Sequence, residues 1–352
     1  MLYLFCNYHT ISILHTYGIG DKMINIDWKN GEYKMEWYDV KGVYQSKNIP
    51  NNYLYPTKKK KRRRPPVKTV KDIYSKENYY VYKGKGSYTP YLTIPYKINF
   101  NKQGDKLYDK KYALKLLHFH KIKDVGLPRA IIYDIETTSL EANEGFITSI
   151  AWIDTFDGTE HTVLNQGDER KMLKEFVRYI NDNHILSLIG FNSHDFDDRY
   201  LAYRLKHNDI YFNPIKSCNV DIMKASNKLF IFGSLASIGK QLGVDEQKLD
   251  LGSDNPISLY NNEEYEKLLY YNLQDVRATK DIMEKLNILE FYKALWELSW
   301  TDFNDIPFNS KLINNLANKK LWENDLCVTQ VYERYLGNFG GGFNYIINGD
   351  DK

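Results

Sequence analysis

From about residue 129 onward the apolar positions fall into runs and stripes that predict alternating strands and helices. Ala130 to Tyr133 is an unbroken apolar run with β-branched residues and a tyrosine, which suits a buried strand and predicts one over 130–136. Comparable runs predict strands over 147–153, 160–165 and 186–191, and stripes of helical period predict helices over 168–182, 197–206, 234–242 and 263–286. The last of these is the clearest, with Leu268, Leu269, Leu273, Val276, Ile282 and Leu286 on a recurring stripe. Further helical segments are predicted around 289–298 and 309–322, where they would brace that helix from behind. Residues 23–128 read differently. EYKMEWYDV, NYYVYKG and PYLTIPYKINF alternate polar and apolar positions, which predicts a small β-rich domain, with one helix over Lys110 to His120. The pattern as a whole predicts an α/β chain: a mixed sheet flanked by helices, preceded by a smaller β-rich N-terminal domain.

Charge divides the chain at nearly the same place. Residues 1–130 carry 26 Lys+Arg against 10 Asp+Glu, a balance of +16, whereas residues 131–352 carry 22 against 35, a balance of −13. A basic front half beside an acidic half suits a protein that grips a phosphate backbone and works on it with metal-binding carboxylates. The densest basic block, Lys58 to Arg64 followed by Pro65-Pro66, reads as a disordered loop near 57–68 with nonspecific DNA contact, because seven like charges repel. Solubility alone is the plainer reading of the N-terminal charge, and tyrosines paired across strands the plainer reading of its many Tyr. The hydrophobic share of 43% is enough to bury a core, and no apolar run has transmembrane length. The start, MLYLFCNYHTISILH, lacks a basic segment and a clean apolar stretch, so no signal peptide is predicted; residues 1–22 read as an extension, with Met23 as an alternative start. Cys6, Cys218 and Cys327 have no metal-binding spacing and suit a reducing cytoplasm.

The chemistry lies in carboxylates. Asp134 and Glu136 close the first predicted strand, and their spacing of two turns both to one face. Two like charges so close are hard to keep ionised without a cation, and hard oxygen donors suit Mg²⁺ or Mn²⁺. A solvated strand end explains the pair about as well, since D-x-E is common. A second acidic group, Asp195, Asp197 and Asp198, sits between the strand ending at Phe191 and the following helix; Asp197 would stand at the helix start, where ordinary capping also favours Asp. A third element, Tyr271 and Asp275, is spaced i and i+4 on the long helix, so both reach toward one point. Each signal is weak by itself; their order along the chain is more telling.

Together these residues resemble the DEDDy 3′–5′ exonucleases, and more closely the proofreading domain of family B DNA polymerases of the phage type. D-x-E is matched by Asp134-Ile135-Glu136, N-x-x-x-F-D by Asn192, Phe196 and Asp197, and Y-x-x-x-D by Tyr271 and Asp275. The segment GSLASIGKQLG resembles the region that holds a primer 3′ end, making Ser234 and Leu235 candidate DNA contacts, and DNPISL resembles the stretch before the third motif. Phe339-Gly340-Gly341-Gly342 resembles the Y-x-G-G linker between exonuclease and polymerase domains, with Phe339 in place of Tyr; Phe339, Gly341 and Gly342 are further candidate DNA contacts.

The resemblance implies an RNase H-like exonuclease domain over 129–300 and, over 301–352, a helical segment and glycine linker leading toward a polymerase domain. The palm motifs D-x-x-S-L-Y-P and D-T-D are absent from this sequence, so polymerisation is not expected of it alone. It implies two divalent ions, Mg or Mn. Asp134, Glu136 and Asp275 would hold the one that makes the nucleophile; Asp134 would bridge to the second, with Asp197 helping to position it. Tyr271 would orient the water, and Asn192 and Phe196 would hold the terminal nucleotide. The expected partners are a single-stranded or frayed DNA 3′ end, a primer–template, and a second chain carrying the palm, with no membrane. The expected place is the cytoplasm, that of the host if the chain is phage-encoded. Two alternatives stand beside this one: a template- or primer-binding subunit that pairs with a separate palm chain, and an RNase D-like exoribonuclease.

Overall fold

A computed structural model of the chain describes residues 24–29, 32–49, 52–57, 60–63, 65–66, 68–72, 76–85, 97–100, 125–216, 218–244, 255–299 and 301–331. The predicted helix over Lys110 to His120, and Phe339, Gly341 and Gly342, lie outside these residues. In the N-terminal part the alternating segments form strands. β1 (Ile24–Lys29), β2 (Glu32–Tyr38) and β3 (Tyr44–Ile49) make one antiparallel sheet in that order. β4 (Asn52–Thr57), β5 (Lys68–Asp72), β6 (Asn78–Lys85) and β7 (Lys97–Phe100) belong to a second.

The apolar runs after residue 129 form β8 (Ala130–Thr137), β9 (Ile147–Asp154), β10 (Glu160–Leu164), β11 (Ser187–Gly190) and the short β12 (Val220–Asp221). They make one sheet in the order β10-β9-β8-β11-β12, antiparallel from β10 to β8 and parallel from β8 to β12. β8 is thus central, which explains its continuous apolar start: both of its faces are covered. The helices are α1 (Glu169–Asp182), α2 (Asp197–His207), α3 (Ile222–Lys228), α4 (Leu235–Leu242), α5 (Pro256–Asn261), α6 (Tyr265–Lys285), α7 (Ile288–Ser299) and α8 (Asn309–Glu323). This is a mixed five-stranded sheet flanked by helices, the RNase H-like architecture expected.

Alternation along β8 divides the core. Ile131, Tyr133 and Ile135 join the cluster under α1 and α2, with Phe176, Leu173, Leu201 and Leu205. Ala130 and Ile132 join the opposite cluster with Val276 and Ile282 of α6, Ile238 of α4 and Tyr292 of α7. Asp134 and Glu136 continue that second face beyond its apolar part, toward α6.

Three features depart from the predicted boundaries. The 263–286 stripe is found as α6, but a separate short helix that was not expected, α5, precedes it, and Glu263 takes a left-handed φ of 58° between the two. α5 is set by a capping box in which Asn255 and Ser258 each bond the other's backbone N–H, with Pro256 in the first turn. α3 and β12 were not expected, being too short to show a period. Finally, β13 (Leu326–Val331) returns to the N-terminal region and pairs in parallel with both β5 and β7, giving the order β4-β6-β5-β13-β7. The small β-rich region is therefore completed by a segment from the far end of the sequence. The β1–β2–β3 sheet meets the turn between α1 and β11 through Tyr38, whose hydroxyl donates to the carbonyl of His184 (3.1 Å), and through Tyr44, whose ring stacks on the His184 imidazole at 4.1 Å.

Candidate metal centre

The strand β8 leaves its buried apolar part at Asp134, and Asp134 and Glu136 are both half-buried. Across β9 they pair in register with Ala151 and Ser149, and a bulge follows between Glu136 and Thr137. α6 lies over this edge of the sheet. It is held there by its apolar stripe and by Asn272, which is fully buried and donates to the Ser149 hydroxyl at 3.0 Å. Since Ser149 is the register partner of Glu136, this bond fixes the helix against the strand that carries the acidic pair. Asp275 follows Asn272 by three residues and is 4% exposed. The result is that carboxylate oxygens of Asp134, Glu136 and Asp275 all lie within 4.8 Å of one another. Three carboxylates this close repel strongly in a partly dry setting. Their donor chemistry, all hard oxygen, fits Mg²⁺ or Mn²⁺.

Tyr271 lies one turn before Asp275 on α6 and is 6% exposed. Asp197 opens α2 and is as buried as Asp275. It is not among the three clustered carboxylates, but the backbone N–H of Ile135, the residue between Asp134 and Glu136, acts to lower its pKa. Burial first, and then the neighbouring Asp198 charge, push its carboxyl up to about 7. A bound cation would act in the opposite sense and favour the carboxylate.

The sequence left Asp195, Asp197 and Asp198 as competitors, and the structure gives them distinct surroundings. Asp195 is half exposed and paired with Lys224 at 2.8 Å and Arg199 at 3.3 Å. Asp198 points to the other side, accepting from the Tyr133 hydroxyl at 2.7 Å and from Asn219 at 3.4 Å. Burial nevertheless raises its carboxyl to about 7. The turn that presents all three depends on Asn192, whose φ of 60° is a left-handed value that Asn tolerates. It also depends on Gly190, where an added Cβ would lie 2.7 Å from that of Ser193.

Asn192 therefore acts on this turn through its backbone: its N–H donates to Asp221, and its carbonyl accepts from Asp195 and Phe196. Phe196 is half-buried with its ring tilted against Tyr200 at 5.5 Å. Ser234 is exposed and caps α4 through the N–H of Ser237, while Leu235 is 8% exposed and sits in the core cluster beneath α6.

Sequence reasoning missed two supports of this region. Asn272 was hidden inside the apolar stripe, although a polar residue on the Leu268–Val276 line is itself a signal. Asp221, fully buried, accepts backbone N–H bonds from Asn192, His194 and Lys224, and so joins the β11–α2 turn to the start of α3. Nothing local distinguishes it from an ordinary cap in sequence.

Residues 131–287 match the RNase_H_2 family, described as RNase_H superfamily. No curated protein matches the chain. Among solved structures it is similar to the family B DNA polymerase from the hyperthermophilic archaeon Pyrobaculum calidifontis, with a TM-score of 0.59 and 16% identity over 86% of this chain. The match takes in 51% of that polymerase, so this chain spans about half its length. The central domain is thus RNase H-like, and the acidic cluster lies where its central strand meets α6.

Proposed function

We propose that this chain is a metal-dependent 3′–5′ DNA exonuclease that removes nucleotides from single-stranded or frayed 3′ ends, as the editing portion of a family B polymerase. The observation that carries the reading is the convergence of Asp134, Glu136 and Asp275 at the end of the central RNase H-like strand.

In this reading Asp134, Glu136 and Asp275 would hold divalent cations, with Asp197 completing the set from the α2 side. Such cations, when bound, lower the pKa of water and neutralise the charge of the scissile phosphate. Tyr271, one turn from Asp275, orients the attacking water by its hydroxyl. A P–O bond forms to water, the bond to the 3′ oxygen breaks, and a proton passes to that oxygen, releasing a nucleoside 5′-monophosphate. Asn192 and Phe196 border the terminal nucleotide, Phe196 through its ring. A mismatched end frays at lower cost and so reaches the site more often, which gives one site its selectivity.

The test is hydrolysis of 5′-labelled single-stranded DNA, with RNA of the same sequence in parallel, in Mg²⁺ or Mn²⁺. Products shortening stepwise from the 3′ end of DNA, lost on chelation and in Asp134→Ala/Glu136→Ala, are expected. Cleavage of RNA alone would assign the chain to the exoribonucleases. No cleavage by the folded protein, with tight primer–template binding retained, would make it a binding subunit.

A further inference from the structure

The basic block reaches an unexpected position in the fold. β4 and β5 both pair antiparallel with β6, on its two opposite edges. They therefore run parallel to each other, and the segment joining them has to cross over β6. That segment contains KKKKRRR.

Residues 60–63 of this segment lie on the face of β6 that carries Tyr80 and Tyr82. The Lys61 N–H donates to the Tyr82 hydroxyl at 2.7 Å. Lys60 Nζ lies 6.0 Å from the Tyr80 ring centre and Lys61 Nζ 5.4 Å from that of Tyr82. Tyr82 is fully buried. The tyrosines thus act as a bed for the crossing, by hydrogen bonding and by cation–π attraction. Lys60, Lys61, Arg62 and Arg63 are exposed above it, with a turn at Arg62 and Arg63. Among the described residues no carboxylate forms an ion pair with Lys60, Arg62 or Arg63.

A charge run on a tail lowers its repulsion by spreading out. This one is laid on a sheet, so four consecutive cations share a span of at most ~14 Å. Such an array answers a polyanion with regularly spaced charges. Lys supplies point charge and Arg a planar fork that takes phosphate oxygens in pairs.

We propose that this cationic strap is a second nucleic-acid contact, holding the phosphate backbone of the substrate away from the carboxylates that cut it. The choice of nucleic acid over another polyanion rests on the exonuclease reading of the central domain.

The test measures binding of the full chain to a duplex with a single-stranded 3′ tail, in chelator, between about 50 and about 200 mM salt. It is compared with Lys60→Gln/Lys61→Gln/Arg62→Gln/Arg63→Gln and with a charge-keeping exchange, Lys60→Arg/Lys61→Arg/Arg62→Lys/Arg63→Lys. The neutral variant should flatten the plot of log affinity against log salt by about 2–4 in slope, at roughly 0.9 per phosphate contact. The exchange variant should keep the original slope. Hydrolysis of a short single-stranded oligonucleotide in Mg²⁺ should be unchanged in both. An unaltered slope in the neutral variant overturns the proposal, as does equal loss in the exchange variant, which would make the strap a folding element. Equally tight, strap-dependent binding to phosphatidylserine vesicles overturns it in favour of a membrane surface. If the wild type fails to cut the oligonucleotide while the slope still flattens, the exonuclease reading fails and the strap stands.

Discussion

Two groups of carboxylates gather on the central sheet and the helices that follow it, and they are built on opposite principles. Asp134, Glu136 and Asp275 face one another at the end of the sheet, with Asp134 and Glu136 only half-buried. Asp197, Asp198 and Asp221 are almost fully buried; Asp198 accepts a hydrogen bond from the Tyr133 hydroxyl, and Asp221 accepts three from backbone N–H groups. The first group gathers like charge where a cation can enter. The second spends its oxygens on holding the β11–α2 turn and the first turn of α3. Residue type is the same in both, and Asp275 is as buried as Asp197, so partners rather than burial separate the clustered carboxylates from Asp198 and Asp221, while Asp197 stands between them as the fourth member of the proposed cation set.

The comparison breaks most directly at the open group. Asp134→Ala/Glu136→Ala should lower the hydrolysis rate by at least about 10³-fold, the equivalent of several kcal/mol of charge stabilisation. The same variant should melt no lower than wild type in chelator, because it relieves repulsion. A melting temperature that falls with the activity would show that these residues are supports as well, and the distinction between the groups would be lost.

The buried group should show itself through pH. The carboxyls of Asp197 and Asp198 are raised to about 7, against an ordinary 3.8, chiefly by burial. Between those limits the folded chain keeps protons that the unfolded chain has released. The stability these two carboxyls contribute in chelator should therefore be fully present below pH 4 and be lost as pH rises toward 7, a change of about 4 kcal/mol for the pair. Melting temperature against pH checks this. Asp198→Asn should flatten the curve, and Mg²⁺ should recover part of the loss at high pH by favouring the charged form of Asp197. A melting temperature that climbs from pH 4 to 7 would contradict the assignment.

Asp221 sharpens the contrast by being pure support. Asp221→Ala removes the cap of α3 and strands two partly buried N–H groups in the β11–α2 turn, a cost of about 3 kcal/mol. Hydrolysis should suffer too, through misplacement of Asp197. Chemical denaturation of the variant measures the first effect, and its activity at low temperature separates the second from unfolding.

How much of this was legible in sequence follows the same physical line. The strands predicted over 130–136 and 147–153 are found as Ala130–Thr137 and Ile147–Asp154, and the helix over 168–182 as Glu169–Asp182, because long buried elements carry their burial in their pattern. The spacing of Asp134 with Glu136, and of Tyr271 with Asp275, is local and survives folding unchanged. What was not legible is whatever depends on distant partners. β13 looks like an ordinary apolar segment until it slots between β5 and β7. The basic block reads as a loop until the order β4-β6-β5 carries it across a sheet. Asp221 is one Asp among many until three N–H groups converge on it. α3, at seven residues, is too short for a period to form.

Tyr271 is the finest test, because burial does not assign it to either group: at 6% exposed it resembles the supports and also Asp275 of the open cluster, one turn away. Tyr271→Phe keeps the ring and its packing and removes only the hydroxyl. If that hydroxyl orients the attacking water, its loss should cost roughly 1.5–3 kcal/mol in the transition state, or about 10–100-fold in kcat, with KM for a single-stranded oligonucleotide nearly unchanged. Stability should move little. If instead the hydroxyl is a support, the effect reverses: melting temperature falls while kcat measured on the folded protein stays within about two-fold of wild type. Single-turnover kinetics and a thermal melt on the same preparation decide between them, and so decide on which side of the divide the α6 face belongs.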